Sequence, residues 1–235
     1  MSSIRLDKYL ADMGVGSRRD VKSILKAGRV KVNSVTMTEA EAKIDTESDY
    51  VELDGKRIGY EEYRYYMLNK PAGVISATKD KLSDTVIEIL KGENTKDLFP
   101  VGRLDKDSEG LLIISNDGKF AHNVLSPAKH VDKTYFVRLD KKPNEEEISR
   151  IENGIDIGDD KPCLPAKVEV ISDDEAYITI SEGRFHQVKR MFQAVGINVT
   201  YLKRISMGAL KLDENLAPGE YKKLSKEEIN EVFGG

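Results

Sequence analysis

Gly102-Arg103-Leu104-Asp105-Lys106-Asp107-Ser108-Glu109-Gly110, followed at once by Leu111-Leu112-Ile113-Ile114, is the stretch on which the fold turns. Four consecutive aliphatic residues with no polar alternation suit a strand buried on both faces. The charged loop before them has a glycine at each end, where the backbone can bend tightly, and it presents Asp105 near the sheet. A carboxylate held there could act as nucleophile or base. A charged surface turn in which Asp105 pairs with Arg103 satisfies the same pattern.

Working outward, Tyr65-Tyr66-Met67-Leu68 reads as a strand ending at Asn69-Lys70-Pro71-Ala72-Gly73, where proline and glycine force a turn. Asn116-Asp117-Gly118 reads as a turn closing the apolar strand, and Thr134 to Leu139 and Tyr177 to Ser181 read as further strands. Asn144 with Glu147, and Ser225 with Glu228, can cap helices containing Ile148 and Ile151, and Ile229 and Val232. From Phe185, the apolar Val188, Met191, Phe192 and Val195 recur at helical spacing, leaving His186, Lys189, Arg190 and Gln193 on the opposite face. A solvated basic face predicts the same periodicity. Strands and helices do not alternate regularly, so the expected class is α+β with a mixed, mainly antiparallel sheet, over residues 61–235.

The first 60 residues form a separate unit. Leu6, Tyr9, Leu10 and Met13 mark a short helix ended by Gly14 and Gly16. Ser17 can cap a second helix through Val21, Ile24 and Leu25, stopped by Gly28 and followed by the basic strand Arg29-Val30-Lys31-Val32. The acidic stretch 39–62 places the domain boundary near 60. Residues 1–33 hold eight cations (Arg5, Lys8, Arg18, Arg19, Lys22, Lys26, Arg29, Lys31) against Asp7, Asp12 and Asp20, an excess of +5 in a chain whose net charge is −4. A second basic island runs from Glu182 to Lys211. Local patches, not net charge, decide polyanion binding, so a nucleic-acid partner is expected.

The composition narrows the classes further. With 235 residues, 39% hydrophobic and 33% charged, the chain reads as soluble and globular. No segment approaches the roughly 18–20 apolar residues of a membrane span, and Met1-Ser2-Ser3-Ile4-Arg5 lacks the apolar core of a secretory signal. One cysteine, Cys163, and the scattered His122, His130 and His186 suggest a reducing cytoplasm and no structural metal. No phosphate loop, dinucleotide fingerprint, HExxH or GxSxG is present.

Taken in order, Asn69-Lys70-Pro71-Ala72-Gly73, then Gly102 to Leu112, then Lys133-Thr134-Tyr135, then Glu182 to Gly196, resemble the RsuA family of bacterial ribosomal RNA pseudouridine synthases. The N-terminal 5–33 is similar to the S-four-type RNA-binding domain carried upstream in that family. The resemblance implies isomerisation of one uridine in RNA, without cofactor or metal, by a bacterial, cytoplasmic, monomeric enzyme of ribosome biogenesis. The small-subunit (16S) enzymes are the most similar members, making 16S ribosomal RNA or an assembly intermediate the implied partner; a 23S enzyme and a non-catalytic assembly factor are the alternatives. It also implies roles: Asp105 as catalytic carboxylate, Tyr135 stacked on the flipped uracil and helping to move its C5 proton, and Lys189 paired with Asp105. Arg103 would fill the space the base vacates, Leu202 would line the pocket or simply pack in the core, and Arg184, His186, Gln187 and Arg190 would bind substrate. Paired carboxylates, Asp105 with Asp107 or Glu109, would instead suit a glycosidase.

Overall fold

In the computed structural model, which describes residues 3–126 and 129–234, Ser17 and Asp20 cap each other's backbone amides in a reciprocal box. Met1 and Ser2 of the N-terminal stretch read above lie outside the described residues. The chain divides into two compact units, Met1–Tyr63 with Gly92–Asp97, and Arg64–Lys91 with Leu98–Gly235.

The first unit runs β1 (Ser3–Arg5), α1 (Leu6–Asp12), α2 (Arg18–Lys26), β2 (Val30–Val32), β3 (Val35–Thr36), β4 (Lys43–Asp45), β5 (Val51–Leu53) and β6 (Lys56–Ile58). Asn33 and Ser34 take positive φ and turn β2 back onto β3. Leu6, Tyr9, Leu10, Val21, Leu25, Val30, Ile44 and Val51 close a small core. Strands β4 to β6 occupy the acidic stretch that precedes the expected boundary near 60; their charged side chains lie on the outer side while Ile44 and Val51 face in. Segment 92–97 joins this unit because Asn94 Nδ2 donates to the Asp12 carbonyl at 2.8 Å and Lys96 Nζ pairs with Asp12 at 3.0 Å. Such contacts, some 80 residues apart, have no local signature.

The second unit continues β7 (Tyr65–Lys70), β8 (Phe99–Val101), β9 (Glu109–Ser115), α3 (Gly118–Leu125), β10 (Lys133–Leu139), α4 (Glu145–Glu152), β11 (Lys167–Val170), β12 (Glu175–Ile180), α5 (Gln187–Gln193), β13 (Val199–Met207), β14 (Leu210–Lys211), β15 (Tyr221–Lys223) and α6 (Lys226–Glu231). The capping boxes expected at Asn144–Glu147 and Ser225–Glu228 are formed. Asp117 does more than turn the chain: its carboxylate accepts from the amides of Lys119 and Phe120 and starts α3, a helix the turn signal hid.

The sheet runs β11-β12-β10-β13-β9-β7-β15, with β14 on β13 and β8 on β9. The β9–β13 pairing is parallel and the other pairings between named strands are antiparallel, so the unit is α+β with a mixed, mainly antiparallel sheet. The aliphatic run of β9 serves both faces. Leu112 and Ile114 join Val137, Leu202 and α5 residues Val188, Met191 and Phe192. Leu111 and Ile113 join Phe120 and Val124 of α3 and the C-terminal Val232.

At the head of β9, Gly110 lies opposite Arg204 with φ +100. A Cβ there would collide with the Arg204 carbonyl oxygen. Gly110→Ala should therefore lower the unfolding free energy by about 3 kcal/mol or more in urea titration. A loss below about 1 kcal/mol would mean that the parallel junction needs no glycine.

Candidate functional site

Asp105 sits on the loop between β8 and β9, and that loop is held from below. Lys70, at the end of β7, is fully buried, and its ammonium donates to the carbonyls of Pro71 at 3.0 Å and Ser108 at 2.8 Å, with Lys106 at 3.4 Å. Gly73 N–H donates to the Lys106 carbonyl at 2.7 Å. Ser76 accepts from the Leu104 amide at 3.0 Å and donates to the Leu104 carbonyl at 2.8 Å. Burial pulls the Lys70 ammonium down to about 8, against the fields of Asp107, Asp105 and Glu109. The Asn69–Gly73 motif thus carries two fasteners of the Asp105 loop. Reading it as a turn missed both, because Lys70 finds its acceptors 36 and 38 residues away.

Two basic side chains flank Asp105. His186 Nε2 lies 3.5 Å from one carboxylate oxygen and Lys189 Nζ 3.6 Å from the other. The shorter Lys189 contact, 2.6 Å, goes to Asp107, and this hydrogen bond holds the Asp107 carboxyl below the usual carboxylate range. The sequence-based pairing of Lys189 with Asp105 is therefore a shared one, with Asp107 nearer. Arg103 is exposed and makes no ion pair with Asp105 among the described residues, so the simple surface-turn pairing does not form.

Asp105 and His186 line a cleft of about 710 Å³, whereas Lys189 and Asp107 lie outside its lining. Arg103, Asp105, Tyr135, Arg184, Phe185, His186, Gln187 and Leu202 all contribute to its walls. Tyr135 is only 7% exposed and Leu202 is buried in the adjoining core, so Leu202 both packs and lines. His186 adopts left-handed geometry, φ 50, directly before α5, with its ring 3.8 Å from that of the exposed Phe185. Periodicity marked Phe185 only as the start of a helix, whereas it stands at the mouth as an open aromatic face.

Three residues expected on substrate are occupied inside the protein. Arg184 donates to the carbonyls of Lys161 at 2.5 Å and Pro162 at 2.8 Å, and pairs with Glu182 at 3.0 Å. Arg190 pairs with Asp159 at 2.6 Å and donates to the Ile157 carbonyl at 2.6 Å. Buried Gln187 accepts from the Arg184 amide and donates to Glu182, both within 2.9 Å. Together they tie segment 157–162 to the start of α5. Glu109 is likewise engaged, accepting from Tyr201 Oη at 2.7 Å; burial, reinforced by that bond, pushes the Tyr201 phenol up to about 12. With Asp107 on Lys189 and Glu109 on Tyr201, neither offers the free second carboxylate that a glycosidase pair needs.

In the first unit the eight cations separate into two sets. Arg5 pairs with Asp7 and Glu41, Lys8 with Asp12, and Arg29 with Asp54. Arg18, Arg19, Lys22, Lys26 and Lys31 are exposed and have no ion pair among the described residues. The first four lie on α2, which concentrates the positive excess on one helix. Among the described residues no group of His, Cys, Asp and Glu could hold a metal ion, and no helix is long and apolar enough to cross a membrane.

The sequence profile of RNA pseudouridylate synthases matches residues 64–194, and that of the S4 domain matches residues 4–49. A Bacillus subtilis (strain 168) protein named as an uncharacterized RNA pseudouridine synthase is 46% identical, covering 97% of each chain. The ribosomal small subunit pseudouridine synthases A of Vibrio cholerae and Escherichia coli (strain K12) are 39% and 38% identical, covering 98% and 97% of this chain and all of theirs. A crystal structure of a pseudouridylate synthase, 35% identical, superposes with a TM-score of 0.70 over 97% of this chain and 99% of its own.

Lys70→Met should cost about 2–4 kcal/mol of stability at neutral pH, because buried carbonyls lose their donor. The pH dependence has a definite sign. With the folded pKa near 8 and the ordinary value 10.5, the folded state binds fewer protons between these limits, so Lys70 makes stability rise with pH there. The wild-type advantage over Lys70→Met should widen by about 1–3 kcal/mol from pH 8 to 10.5 in urea unfolding. A constant or narrowing difference would contradict the buried-ammonium assignment.

Proposed function

The chain belongs to the RNA pseudouridylate synthase family, and on that premise we propose that it converts one uridine of 16S ribosomal RNA to pseudouridine, acting in the cytoplasm as a monomer on the RNA or a small-subunit assembly intermediate. The observation that carries this reading is Asp105, fastened on its loop and flanked by His186 and Lys189 at the mouth of a nucleotide-sized cleft walled by Tyr135. The 16S assignment draws on the small-subunit names of full-length relatives at 38–39% identity.

The reaction breaks the N1–C1′ bond, turns the uracil and joins C5 to C1′. Its target base must leave the stack, at a cost of a few kcal/mol, to be reached. In this reading Asp105 is the catalytic carboxylate, oriented by Lys189, which it shares with Asp107. Tyr135 offers a wall on which the flipped uracil stacks and a phenol to help move the C5 proton; Leu202 completes the apolar side. Arg103, exposed at the rim, enters the gap left in the RNA. Arg184, Gln187 and Arg190 shape the cleft through the 157–162 segment, and His186 meets substrate beside Phe185. The N-terminal unit grips phosphates through its unpaired cations, contributing position more than base readout.

Asp105→Asn should abolish tritium release from C5-labelled uridine in ribosomal RNA while RNA affinity stays within about twofold, since size and hydrogen bonding persist and only the anion is lost. Retention of a tenth of wild-type turnover would remove Asp105 from this role. Replacing Arg18, Arg19, Lys22 and Lys26 together by Gln should flatten the slope of log affinity against log salt by about 3 units (roughly 0.7–0.9 per phosphate contact). Turnover at saturating RNA should change little. An unaltered slope would make α2 a solvated face.

A further inference from the structure

Two cations in the cleft have no anion to meet. Arg204 is 2% exposed and Lys133 6%, and both line the cleft. Lys133 stands two residues before Tyr135 on β10, and Arg204 two residues after Leu202 on β13, paired across the strands with Tyr135. The four side chains line the same cleft. Arg204 Nε donates to the Leu111 carbonyl at 2.7 Å, and its guanidinium carbon lies 6.0 Å from the Tyr135 ring centre. Its Nη2 is buried with no hydrogen-bond partner. Lys133 Nζ donates to the Val131 carbonyl at 2.6 Å. Among the described residues neither cation makes an ion pair. Burial and the neighbouring Arg204 pull the Lys133 ammonium down to about 8, and the field of Asp132 only partly offsets them.

Like charges set side by side out of water oppose folding, and apolar side chains would pack a strand pair better. A buried donor without a partner at the wall of a cleft is a feature that an incoming negative charge completes. The family reaction supplies one. If the N1–C1′ bond breaks first, the electron pair stays on the uracil ring and the carbonyl oxygens O2 and O4 share the charge; if the carboxylate adds to C6, the charge builds on C5 and O4. The charge disappears once C5 has bonded to C1′, any bond from the carboxylate to C6 has broken to regenerate the carboxylate, the C5 proton has left and N1 has taken a proton; nothing is oxidised or reduced.

We propose that Arg204 and Lys133 are catalytic residues, donating hydrogen bonds to the carbonyl oxygens of the target uracil while its ring is anionic. The assignment rests on the uridine reading above. An RNA phosphate is the other anion available to these cations, and kinetics separates the two. A phosphate is charged before reaction, so losing its partner weakens binding; charge that develops during reaction makes the loss fall on kcat.

The test uses full-length Arg204→Met, Arg204→Lys and Lys133→Met with ribosomal RNA carrying C5-tritiated uridine. Single-turnover rates at saturating RNA should fall at least tenfold in both Met variants, with RNA Kd within about twofold. Arg204→Lys should recover part of the rate. The Lys133→Met melting temperature should change little, because losing the donor to the Val131 carbonyl is offset by removal of a buried cation without an ion pair. Wild-type rates in the Met variants would overturn the proposal, as would weakened RNA binding at unchanged rate, which assigns the pair to a phosphate. Parallel losses of melting temperature and rate, with Arg204→Lys no better than Arg204→Met, would make the pair structural. A wild-type protein that released no tritium would instead overturn the uridine reading, and this assignment with it.

Discussion

A buried ammonium governs the geometry of the site. Lys70 has no exposed surface, and it satisfies its donors on the carbonyls of Pro71, Lys106 and Ser108, the last two within the loop just after Asp105. A carboxylate on a glycine-bounded loop would otherwise sample many positions, and misplacement by an ångström can cost a hundredfold in rate. Desolvating Lys70 opposes folding; its carbonyl contacts and the fields of Asp105, Asp107 and Glu109 offset part of that cost. The apolar β9 behind the loop supplies the rigid footing, since its side chains are packed on both faces of the sheet.

Around that point the charges divide by partner. Arg184 and Arg190 are spent on holding segment 157–162, and Lys189 is shared by two aspartates. In the first unit Arg5, Lys8 and Arg29 are neutralised while four cations of α2 remain open to solvent. Counting basic residues therefore overstates the surface available to RNA in both places. Among the described residues, the cations without carboxylate partners include those of α2 on the outside and Arg204 and Lys133 lining the cleft.

The local devices of this fold are legible in the sequence. Ser17, Asn144 and Ser225 cap the helices they precede, and Leu111 to Ile114 form the doubly buried strand. The α+β class follows from irregular alternation of elements, and the family from four motifs in fixed order. What escaped reading depends on partners far along the chain. Lys70 resembles a surface lysine until its acceptors fold over it, and Asp117 resembles a turn residue until its carboxylate caps α3. Arg190 and Gln187 look like substrate contacts because a basic, polar helix start is ambiguous; only Asp159, Ile157 and Glu182 show where they are engaged. Strands β4 to β6 were hidden in an acidic, polar stretch because they are only three residues each and split between two small sheets, β1-β4 and β3-β2-β5-β6.

The most direct test is a pseudouridine map of ribosomal RNA from cells with and without this protein, extended by complementation with the Asp105→Asn chain. One uridine of 16S RNA should lose its modification when the protein is removed, regain it with the wild-type chain and stay unmodified with Asp105→Asn. A 16S map that is identical in the presence and absence of the protein would contradict the small-subunit assignment, and unchanged maps of all ribosomal RNAs would contradict a ribosomal substrate altogether.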